Sequence, residues 1–151
     1  MMVEHDDLTL TRLREFVRGE VDPRDFPHKE HVRMGFEMLR RHDFVETAYH
    51  YSAALRAMTA KIGKPEVFHQ TLTIAFLAII AERMKAAAYA DFGSFLAANP
   101  DLMSRSVLTS LYSPERLASD AARATFLLPD RPGSQAIGPQ PGVSQSPSSS
   151  I

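Results

Sequence analysis

Thr71-Leu72-Thr73-Ile74-Ala75-Phe76-Leu77-Ala78-Ile79-Ile80-Ala81 is the longest uncharged apolar run in the chain. Its apolar residues do not alternate with polar ones at the period of a strand. A helix that is apolar almost all round is one enclosed by its neighbours. The run is about half of the roughly 20 residues a membrane span needs. It therefore predicts the central helix of a packed bundle, beginning at Pro65 and Glu66 and running to about Tyr89.

The neighbours of that helix are legible on either side. Phe44, Ala48, Tyr51, Leu55 and Met58 form an apolar stripe at helical spacing, opened by a capping pair, Asp43 and Glu46, and stopped by Gly63. Before it, Pro27 suits the first turn of a helix that runs to about Arg41. Earlier still, Leu10, Leu13, Phe16 and Val17 recur at helical spacing between a cap at Asp6 or Asp7 and a stop at Gly19. After the central helix, short helices are predicted beyond Asp91, beyond Pro100 and at Ser113-Pro114-Glu115. The fold class is all-α, an irregular bundle of about four main helices with short helices on the C-terminal side.

Five of the ten prolines fall between Pro129 and Pro147, in a stretch of Pro, Gly, Ser and Gln with few apolar anchors. Such a composition cannot repay the entropy of ordering. Residues 1–128 are thus expected to form one helical domain and residues 129–151 a disordered tail.

Composition removes several classes of function. With no cysteine, thiolate metal sites, redox dithiols and cysteine nucleophiles are excluded. The 17 basic and 18 acidic residues are dispersed, so no basic footprint marks a nucleic acid or a membrane surface. The N-terminus is acidic and carries no signal-like apolar region, and the expected location is the cytoplasm.

What remains is a set of histidines. His28 and His31 stand three residues apart in the first turn of the second helix, about 60° apart on one face. Gly35 and Met38 continue that face, so the imidazoles point inward. The helix dipole disfavours an imidazolium there and favours the neutral, metal-binding ring. His69 sits near the start of the central helix on a face shared with Thr73, Phe76 and Ile80. Two helix beginnings that meet would bring His28, His31 and His69 to one point. Glu66, three residues before His69, is the candidate fourth ligand or base, and Thr73 is a candidate contact to ligand. One Glu-x-x-His pair is too few for a dinuclear iron site. Nitrogen and oxygen donors with open positions suit a single divalent transition metal (Fe, Zn, Cu or Ni). Glu30, His42 and His50 read as surface positions.

The segments Phe26-Pro-His28-Lys-Glu-His31, Phe68-His69-Gln-Thr71-Leu-Thr73, and Leu111-Tyr-Ser-Pro-Glu-Arg116 with Pro129-Asp130 together resemble an uncharacterised bacterial family of small all-helical proteins. Its members carry F-x-H-x-x-H, Y/F-H-x-T-x-T and L-Y-S segments. The resemblance spans about Phe26 to Asp130 and implies that the same three histidines form the characteristic site. Gln70 stands where the resemblance implies a glutamate. Arg116 and Arg123 match its C-terminal part and could neutralise an anionic ligand.

Two functions follow from these residues. The first is a small metal-binding protein, a mononuclear metal-dependent enzyme with a small-molecule substrate. The second is a non-catalytic binding or interaction module whose histidines line a pocket. A homodimer is compatible with either, whereas nucleic acid and membrane are not expected partners.

Overall fold

The computed structural model describes residues 2–131, with side chains from residue 7 onward. The chain is all-α, and no strand occurs among the described residues. Four long helices, α1 (Met2–Val17), α2 (His28–Arg41), α3 (Phe44–Lys61) and α4 (Gln70–Ala86), are followed by α5 (Phe92–Ala98) and two short helices, α6 (Pro114–Leu117) and α7 (Asp120–Ala124). Short 3-10 segments fill the joints at Pro23–Asp25, Pro65–Val67, Pro100–Met103 and Arg105–Ser110. Among the described residues no helix is long and apolar enough to cross a membrane.

The boundaries follow from local chemistry. Gly19 and Gly63 take left-handed φ values of 70° and 72° just beyond α1 and α3, where a side chain would be strained. At Gly19 there is no space either, since an added Cβ would lie 2.7 Å from that of Ala57. Asp43 accepts from the Glu46 N–H at the start of α3. The Glu46 carboxylate does not return to complete a capping box but meets His42 Nδ1 at 2.7 Å. α1 reaches back to Met2, so neither Asp6 nor Asp7 is its cap.

Two apolar clusters share α2 and α4 as their common wall. Met34 and Met38 of α2 and Leu77 of α4 join Leu13, Phe16, Tyr51 and Met58 on one side. Val32 and Phe36 of α2 and Ala75, Ile79 and Ile80 of α4 join Phe95, Leu102, Leu108 and Tyr112 on the other. Burying each such side chain stabilises the fold by about 1.5–3 kcal/mol. The two helices pack closely at Gly35, where a Cβ would stand 3.1 Å from the Leu77 side chain and 3.2 Å from that of Ile80. Gly35 thus serves helix contact rather than making room for a ligand.

The last described residues form a strap across α4 and the joint before α6. Thr71 Oγ1 donates to the Thr125 carbonyl at 2.8 Å and accepts from the Leu127 N–H at 3.0 Å. The Tyr112 hydroxyl donates to the Leu127 carbonyl. Asp130 takes both the backbone N–H and the hydroxyl of Ser113. Order therefore runs past Leu128 to Arg131, and the rest of the expected tail, residues 132–151, lies outside the described residues.

Candidate functional site

The first turn of α2, the second half of α3, the turn before α4, the first half of α4 and the Arg105–Ser110 segment line a half-open cavity of about 170 Å³. Its wall is mostly apolar, with Leu55, Phe68, Leu72, Phe76, Leu77 and Leu108 among the lining residues. His28, His31 and His69 all reach it. The two helix beginnings do meet, and three rings from separate parts of the sequence border one space.

The three rings are not equivalent. His69 is the N-cap of α4. Its Nδ1 accepts from the Leu72 N–H at 3.1 Å, and its Nε2–H donates to the Leu117 carbonyl at 2.7 Å. Both nitrogens are therefore committed to backbone, and the proton sits on Nε2. His28 uses Nε2–H on the Leu102 carbonyl at 2.9 Å, which leaves Nδ1 as a bare lone pair, buried and without a hydrogen-bond partner.

His31 packs its ring against Phe26, edge to face at a centroid distance of 4.6 Å. Phe26 in turn stacks on Phe16, and Phe16 meets Tyr51 edge-on. The Tyr51 hydroxyl donates to the His31 carbonyl, which ties the α2 turn to α3. Burial pushes the Tyr51 phenol well above its ordinary range. For His31, burial, the Arg105 guanidinium and the neighbouring His28 act together to hold the imidazole down at about 4, with the Phe26 carbonyl and Glu30 pulling weakly the other way. The ring is neutral at physiological pH.

As they stand, the three rings are not posed around one common metal position. His69 has no free lone pair. A Zn–N bond of about 2.0–2.1 Å places tetrahedral imidazole centroids roughly 5 Å apart, against 6.4 Å between His28 and His31. Among the described residues no three His, Asp or Glu side chains are grouped so as to hold a metal ion.

The other expected site residues are placed as follows. Glu66 lies on the Pro65–Val67 turn, exposed and away from the cavity wall. It shares no helix face with His69, because α4 begins only at Gln70 and the chain is extended at Phe68 and His69. Pro65 opens a 3-10 turn instead of the helix. Thr73 lines the cavity, yet its hydroxyl donates to the His69 carbonyl one turn back, as helix threonines commonly do. Arg116 and Arg123 do not border the cavity. Arg116 donates to the Leu128 carbonyl and Arg123 to the Glu66 carbonyl, so both fasten the C-terminal strap region. Glu30 is half-buried rather than free on the surface, bound by Arg33 at 2.8 Å and by Arg12 of α1 at 3.4 Å, which hold its carboxyl below the usual range.

One residue at the cavity was not visible in the sequence. Arg105 begins the turn after Ser104 and lines the cavity without an ion pair or hydrogen bond from its side chain among the described residues. Met103-Ser104-Arg105-Ser106 has no periodicity and matches no motif, so nothing marked it. No family description matches the chain, and no curated protein or solved structure matches it either.

Proposed function

We propose that this protein is a small-molecule binding domain that takes one compact, largely apolar ligand into the cavity between α2, α3 and α4. The observation that carries the reading is the state of the histidines around an apolar space of about 170 Å³. His69 and His28 spend N–H groups on backbone carbonyls, which is structural work, while His31 stays neutral and borders the space. The volume suits a single six-membered ring, since an apolar cavity of about 150 Å³ accepts benzene. Few polar groups on a mostly apolar wall are what small-ligand sites have in general.

Toluene is a suitable first probe. Saturable binding should raise the unfolding midpoint, with about 2.7 kcal/mol of stabilisation expected at a hundred times Kd. Amide shifts should move at Leu72, Phe76 and Leu108 and stay put at α5. Leu72→Phe, which fills the space, should abolish both effects. A midpoint indifferent to toluene, with no cavity amide perturbed, would overturn the reading. So would one equivalent of a transition metal in the purified protein that His69→Ala removes, because that result favours a metal-dependent enzyme.

A further inference from the structure

The polar side chains around the cavity can be accounted for one at a time. Tyr51 gives its hydroxyl proton to the His31 carbonyl, Thr59 to Arg56 and Thr73 to His69. His28 and His69 donate to Leu102 and Leu117. What remains is the lone pair of His28 Nδ1, which cannot donate, the His31 ring, whose hydrogen bond goes to the Phe26 backbone, and the guanidinium of Arg105. His31 and Arg105 are close enough to interact electrostatically. No carboxylate borders the space with them. Glu30 is held by Arg33 and Arg12, and Asp101 is held by Arg83.

A cation at the edge of an apolar cavity, with no acid of its own, is a receptor for an anion. The guanidinium presents its donors in a planar fork that matches the two oxygens of a carboxylate. The neutral imidazole beside it already has its N–H on the Phe26 carbonyl and carries no charge that would oppose or compete for an anion. We infer that the ligand is a small carboxylate, with a ring-sized or branched apolar body in the cavity and its carboxylate on Arg105 beside His31. This rests on the binding reading above and adds the head group to it.

Benzoate and its neutral isostere benzamide separate the two. Full-length protein titrated with each by calorimetry at low ionic strength should bind benzoate about tenfold or more tightly, the order expected of a charge-assisted hydrogen bond. The preference should shrink as salt is added. Arg105→Met should erase it while leaving toluene binding intact. Equal affinity for benzoate and benzamide, or a preference that survives Arg105→Met, would overturn the carboxylate assignment and leave the cavity reading standing. If benzoate, benzamide and toluene all fail to bind, both fall together.

Discussion

α4 and α2 both open with histidines on the same cavity, yet the two openings are built differently. The start of α4 is fastened on several sides. His69 caps the helix and holds Leu117, and Thr71 two residues on holds both Thr125 and Leu127. The start of α2 has no side-chain cap, since Pro27 occupies that position. It is steadied by His28 on Leu102, by the Tyr51 hydroxyl on the His31 carbonyl and by aromatic packing. Imidazoles alike in sequence thus divide into two braces, His69 at α4 and His28 at α2, and one neutral ring, His31, that borders the space. A buried ring whose two nitrogens are satisfied by backbone stabilises the fold and has nothing left for a ligand.

The strongest way to break this comparison is His69→Ala. It removes the cap, worth about 1 kcal/mol, and strands the Leu117 carbonyl, worth about 1–3 kcal/mol more, in a site only 7% exposed. With the lost ring packing, the expected destabilisation is about 4 kcal/mol by urea unfolding. His69→Asn, which can still cap, should recover about 1 kcal/mol. A loss below about 1 kcal/mol for His69→Ala would mean that His69 is no brace.

The second test acts on α2 through pH. A folded-state value of about 4 against an ordinary 6.5 means that the unfolded chain binds the His31 proton more readily. Stability from this group is therefore complete above pH 6.5, declines as pH falls from 6.5 towards 4, and is absent below 4. At about 1.4 kcal/mol per pH unit the whole effect is about 3 kcal/mol. His31→Gln should unfold with a shallower pH dependence across that window, and the difference between the two profiles isolates this ring from the carboxylates. Parallel profiles would mean that His31 is as well solvated when folded as when unfolded.

The helices and the convergence of their starts were legible because both rest on local rules. The unbroken apolar run at Thr71–Ala81 placed α4 in the middle, and the spacing of His28 and His31 put both on the inward face of α2. The roles of the rings were not legible, because their partners are backbone carbonyls far along the chain. Leu117 is 48 residues from His69, and Leu102 is 74 from His28. A carbonyl has no sequence signature, so a brace and a ligand group look alike until the chain is folded. Glu66 misled for a different reason, since Glu-x-x-His implies a shared face only if one helix spans both residues, and the turn at Pro65–Val67 ends before His69. Arg116 and Arg123 rested on the resemblance of the C-terminal segment, whereas the basic side chain that reaches the cavity is Arg105, on a turn without periodicity.

Arg105 supplies the smallest change in stability and the sharpest view of the α2 opening. It is exposed and forms no ion pair among the described residues, so Arg105→Met should leave the unfolding free energy at pH 7 within about 0.5 kcal/mol of the parent. Its guanidinium is nevertheless one of the groups that hold the His31 imidazole down, second only to burial. Removing that charge should raise the midpoint of the His31 ring protons in an NMR titration, without reaching the ordinary histidine range, because burial remains. The rings of α4 are the control, since His69 is fixed by Leu72 and Leu117 and its shifts should not follow the substitution. A His31 midpoint unmoved in Arg105→Met would place the cation too far from the ring to share a ligand with it. The two helix openings would then differ in how they are fastened but not in what they offer.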